Sequence, residues 1–130
     1  MNDQFLNNQK GEGNGFNLEE RTAQFAEKFI ELMKKIPRDP INFRLIEQGV
    51  GAAGSIGANY CEADEAESRA DFIHKMCIAK KEIKEVRHWI RLLAKANPNL
   101  NEEFRNLWRE AQELLLIFSK IVSSSRKRIK

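Results

Sequence analysis

The stretch FIHKMCIAKKEIKEVRHWIRLLAK (residues 72–95) decides the fold. Phe72, Met76, Ala79, Ile83, Val86, Ile90 and Leu93 recur at alternating steps of four and three. That spacing winds one apolar seam along a helix and is too long for a strand's period of two. A seam of this kind needs partners, because one amphipathic helix cannot bury its own stripe. The flanking sequence supplies them. Upstream, Asn17 reads as an N-cap with Glu20 three residues on, and Leu18, Thr22, Phe25, Phe29, Leu32 and Ile36 share one helical face. The first helix is therefore expected over about Leu18 to Ile36, where Pro37 ends it. Asp39-Pro40 reopens the chain with a capping side chain and a proline at the first helical position, and a second helix is expected from Pro40 to Ala63. Downstream of the deciding stretch, Asn97-Pro98-Asn99 stops the third helix. Phe104, Leu107, Ala111, Leu114, Phe118 and Ile121 then form a fourth seam, widened by Trp108, Leu115 and Val122.

Four amphipathic helices joined by short turns predict an all-α protein, an antiparallel up-down-up-down four-helix bundle. At 130 residues the chain has the size of one domain. The bundle is expected over residues 17–125. Residues 1–16 (MNDQFLNNQKGEGNGF), rich in Asn, Gln and Gly, read as a flexible arm, and 126–130 as a basic C-terminal tail. The two cysteines, Cys61 and Cys77, are too few for a disulfide framework, and the polar N-terminus is unlike a leader peptide, so the expected compartment is the cytoplasm. The longest apolar run, Leu114 to Phe118, is far short of a membrane span.

Charge divides the chain unequally. Residues 1–65 carry seven basic and eleven acidic side chains, and residues 66–130 carry fifteen and eight, giving −4 and +7. Within the basic half, Lys80, Lys84, Arg87, Arg91 and Lys95 follow at steps of four, three, four and four. They form a cationic stripe centred roughly 110° around the helix from the seam. Five like charges over about four turns repel one another unless they are solvated, matched by carboxylates or matched by a polyanion. The last of these makes them candidate contacts for an RNA or DNA backbone, with Arg126, Lys127 and Arg128 as auxiliaries. On the other flank, Ile78, Trp89 and Leu92, interleaved with Glu82 and Glu85, form a second apolar strip. Such a strip is the candidate interface between subunits of a homo-oligomer.

Two other patterns point to chemistry and are better read as structure. Gly49-Val50-Gly51-Ala52-Ala53-Gly54 spells GxGxxG, but the preceding INFRLIEQ continues a helix where a phosphate loop follows a strand. Small residues that let a neighbouring helix approach are the expected reading. His74 and Cys77, with Asp71 one turn earlier and Cys61 on the preceding helix, have no spacing specific to a metal site. No nucleophile-base arrangement is present and the histidines number two, so no enzyme activity, cofactor, metal or small-molecule substrate is expected.

The segment Gln48 to Ala63 (Q-x-x-x-A-A-x-S-I-x-A-N-x-x-E-A), followed by Phe72, Ile78-Ala79, Glu82 and Glu85, resembles the four-helix-bundle family of 23S rRNA intervening-sequence proteins. The likeness runs from about Arg21 to Ile121. It implies an antiparallel bundle that assembles into a ring, typically a pentamer, with no enzymatic activity assigned. Related proteins include the accessory variability proteins of diversity-generating retroelements, which are basic pentameric barrels working with a reverse transcriptase and its RNA. Val50 and Gly51 stand where many members carry basic residues, and Glu62-Ala63 where they end the motif in Glu-Gly. Any cation contribution to nucleic-acid binding therefore falls to helix three and the tail.

Overall fold

The computed structural model describes residues 17–129, so the expected arm at residues 1–16 lies outside the described residues. The described chain is all-helical: α1 Leu18–Met33, α2 Pro40–Asp64, α3 Arg69–Ala96 and α4 Asn101–Ile129, with one 3-10 turn at Pro98–Leu100. The starts of the first three helices are set by side chains that accept from otherwise unpaired backbone N–H groups. Asn17 Oδ1 accepts from the Glu20 amide at 3.0 Å, Asp39 Oδ1 from Asn42 at 2.8 Å and Ser68 Oγ from Asp71 at 3.0 Å. The first helix stops at Met33 rather than Ile36. The last three residues before Pro37 tighten into a turn, with Lys35 and Ile36 donating to the carbonyls of Leu32 and Met33. Ile36 stays buried there. The segment around Arg126 to Arg128 continues α4 as its last turn.

α2 packs most extensively on α3, α3 on α4 and α1 on α2, while α1 meets α4 more loosely. Together they enclose one core, in which Phe25 and Phe29 of α1, Ile56 of α2, Met76, Ile83 and Ile90 of α3 and Phe104, Leu114 and Phe118 of α4 are almost wholly excluded from solvent. At about 25 cal/mol per Å² of apolar surface, these side chains are the main source of stability. The α3 seam matches the expected set from Met76 to Leu93, but its first member is Ile73, and Phe72 is only half-buried. Ile73, one residue further round the helix, takes the core-facing position, and Phe72 turns to the edge of the core, where it lines a depression with Ser125 and Arg128 of α4. Glu19 of α1 sits against Cys61 (3.7 Å), and the next α2 residue, Glu62, pairs with Lys75 at 2.7 Å. On α4, Leu115 and Val122 are buried as expected, Ile121 is half-buried, and Trp108 is exposed.

The glycine-rich run is the middle of α2, helical throughout. Two glycines make close helix contacts: a Cβ at Gly49 falls 2.5 Å from Phe29 Cζ, and one at Gly57 falls 3.0 Å from Thr22 Oγ1, whereas Gly51 and Gly54 have no neighbour within 4 Å. Phe29 is fully buried and cannot swing away. Gly49→Ala is therefore expected to destabilise by about 1–3 kcal/mol through overpacking. Gly54→Ala should instead stabilise by about 1 kcal/mol through helix propensity. Urea unfolding measures both, and a stabilised Gly49→Ala protein would contradict this packing.

Candidate nucleic-acid interface

The five stripe cations lie along about 22 Å of α3 at 1.5 Å per residue. Lys84, Arg91 and Lys95 are exposed, and Lys80 and Arg87 are half-buried. Arg87 is held at the α3–α4 seam. Its Nη1 donates to Gln112 Oε1 at 2.6 Å, its guanidinium lies 5.7 Å from the Trp108 ring centroid, and its buried Nε has no partner. Two turns nearer the start of α3, Lys80 lines a depression of about 300 Å³ with Ser119, Val122, Ser123, Arg126 and Lys127 of α4. Arg126 Nη2 reaches Cys77 Sγ at 3.5 Å beside it. The structure thus brings Lys80 together with Arg126 and Lys127, two of the three tail cations assigned as auxiliaries. Arg128 lies apart, in a depression with Ala66, Phe72 and Ser125.

None of the five is in an ion pair among the described residues; the cations that are paired are Arg21, Lys34 and Lys75. The reason is a segregation of charge. On α4, Glu103, Glu110 and Glu113 turn toward α1, where they line a groove of about 590 Å³, and the last two hold Arg21 at 2.8 and 2.9 Å. The hydrogen bonding that Arg21 donates to Glu110 is the largest of the influences raising the Arg21 pKa. On α3, Glu82 and Glu85 lie with Ile78 and Trp89, and Glu85 shares a depression with Lys84 of the stripe. Glu82 is shifted upward by burial first and by the Glu85 charge second. The depression that Lys80 shares with Arg126 and Lys127 has no carboxylate among the described residues of its lining, an arrangement that concentrates positive potential.

Ile78, Trp89 and Leu92 are all half-buried. Trp89 packs partly on the core and lies edge-on to His88, with ring centroids 5.0 Å apart. Beside it Lys81, Lys84, Glu85 and His88 edge a shallow depression. The cysteines face different neighbours: Cys61 lies against Glu19 and Cys77 against Arg126. Burial first, then Glu19, raises the Cys61 thiol above its ordinary range. Among the described residues, no three His, Cys, Asp or Glu side chains converge as a metal site, and no helix is long and apolar enough to cross a membrane.

Periodicity placed Trp108 in the α4 seam with Leu115 and Val122, whereas it is exposed, and did not mark Gln112. Both sit at the edge of the α4 seam, where a wheel cannot distinguish a covered ring from an open one. The available signal was an arginine at the matching level of α3.

A family model described as 23S rRNA-intervening sequence protein matches residues 16–120. Among solved structures, a protein with unknown function from the S23 ribosomal protein family of Bacteroides thetaiotaomicron is similar, with 31% identity over 80% of this chain and 96% of that one and a TM-score of 0.73. No curated protein is matched.

Proposed function

The chain belongs to the family of 23S rRNA-intervening sequence proteins, and from that premise we propose a non-enzymatic, homo-oligomeric bundle of the cytoplasm that binds nucleic acid by its phosphate backbone through the α3–α4 face. The observation that carries this reading is the stripe of five cations with no ion-pair partner among the described residues. Mutual repulsion along one helix face disfavours such a stripe in isolation, and a polyanion relieves it. We read the helices as antiparallel, up-down-up-down: Glu19 lies against Cys61 and Phe29 close to Gly49, Glu62 pairs with Lys75 and Asn42 with Asn97, and Cys77 meets Arg126 and Arg87 meets Gln112.

Salt titration of binding to a mixed-sequence RNA tests the proposal. Engagement of all five cations by a single strand gives a log–log slope of about −3.5. Absence of binding at low salt, or binding indifferent to salt, removes it.

Self-association is assigned to Ile78, Trp89 and Leu92, whose half-exposed apolar atoms supply the aromatic and aliphatic anchors interfaces favour; the family resemblance favours a pentamer. Light scattering is expected to give about five times the 15.1 kDa chain mass, and Trp89→Asp to reduce it. A pentamer undisturbed by Trp89→Asp would place the interface elsewhere. The second reading is a protein-binding scaffold using that same strip, and it gains ground if assembly fails while the strip still captures a partner.

A further inference from the structure

The cationic face also carries a ring that phosphate binding does not require. Trp108 of α4 is 39% exposed. Its orientation is fixed from one side by Arg87, itself anchored on Gln112. Lys84 and Arg91 stand one turn before and one turn after Arg87 on α3, so the ring is bracketed along the helix by exposed cations.

We infer that Trp108 is a stacking platform for an unpaired base, and that this face therefore takes single-stranded nucleic acid in preference to duplex. The inference rests on the backbone-binding reading and deepens it. A base that leaves its own stack offers an apolar π-face that the open part of the indole covers, and every base has such a face, so the contact is sequence-tolerant. The cations to either side then meet the phosphates flanking the stacked nucleotide. In a duplex the bases are already stacked and out of reach, so only the charge remains to be recognised. Arg87 adds to the platform by fixing the ring before the nucleic acid arrives, which lowers the ordering cost of binding. If Trp108 merely covered the α3–α4 seam, its replacement would change stability and leave the discrimination between strands untouched.

The experiment compares the full chain with its Trp108→Ala and Trp108→Phe variants. Fluorescence anisotropy is read at one low salt concentration against a labelled RNA of roughly 12 nucleotides, and against the same RNA annealed to its complement. Thermal unfolding of each variant runs in parallel. Trp108→Ala is expected to weaken single-strand binding by about tenfold, leave duplex binding within about twofold, and be largely rescued by Trp108→Phe. Equal loss on both RNAs, or no loss on either, overturns the stacking role while the backbone reading stands. Failure of the unaltered protein to bind either RNA overturns the backbone reading itself, and stacking with it.

Discussion

Replacing Lys84, Arg91 and Lys95 together by glutamine is expected to lower RNA affinity by about a hundredfold at low salt and to flatten the salt slope by about 2. The three are exposed and make no ion pair among the described residues, so their charge is not tied to the packing of the bundle. Their removal relieves repulsion along α3, and the folded state should be unchanged or slightly more stable. This separates the expected loss of binding from a loss of structure. The matching control is Lys28, Lys34 and Lys35 of α1, replaced in the same way. Lys34 already pairs with Glu31 at 3.7 Å, and Lys28 and Lys35 edge the groove that also holds Glu27, Glu103, Glu110 and Glu113. Neutralising these should leave affinity and slope nearly as they were. Equal losses from both triple variants would mean that net charge, not a face, attracts the RNA. Arg87 is excluded from the set because it also holds Gln112 and Trp108.

Asn97→Ala is expected to destabilise the bundle by about 2–3 kcal/mol. Asn97 and Asn42 are buried and bonded to each other in both directions: Asn42 Nδ2 donates to Asn97 Oδ1 at 3.0 Å, and Asn97 Nδ2 to Asn42 Oδ1 at 2.9 Å. Their remaining amide hydrogens reach the carbonyls of Pro37 at 2.9 Å and Leu93 at 3.0 Å. The pair thus ties the start of α2 and the turn before it to the end of α3. Truncating one partner strands the other amide away from water, which costs more than the bond itself contributes. Because the two residues form one unit, Asn42→Ala and Asn97→Ala should be far from additive. The double variant is expected to lose less than the sum of the singles in urea unfolding. Strict additivity would show that the two amides act independently.

The sequence made the helices legible because their signals are local. Asn17, Asp39-Pro40 and Pro98 mark boundaries within one turn of themselves, and Met76 through Leu93 carry the seam in their spacing. What depends on a second helix was not legible. Ile73 replaces Phe72 in the core, and Phe72 lies at its edge beside Ser125 and Arg128 of α4. Gly49 is tight because Phe29 is opposite, whereas Gly51 and Gly54, equally glycine, face nothing. Asn42 gave no sign of burial, since its partner stands 55 residues away.

The candidate site divides along the same line. The stripe of five cations is periodic and could be named from α3 alone, as could the apolar strip on its other flank. Whether those cations are neutralised depends on carboxylates from other helices. The structure answers this by turning Glu110 and Glu113 of α4 toward Arg21. The meeting of Lys80 with Arg126 and Lys127, and of Arg87 with Trp108, likewise depends on how α3 and α4 are set against each other. Those positions cannot be obtained from either helix separately.

The most direct test of the α3–α4 face as the binding surface is lysine-acetylation footprinting of the full chain, with and without RNA at low salt. Protection of Lys80, Lys84 and Lys95, with Lys28, Lys34 and Lys35 modified equally in both conditions, is the predicted result. Protection of the α1 lysines with the α3 stripe left open to reagent would contradict it.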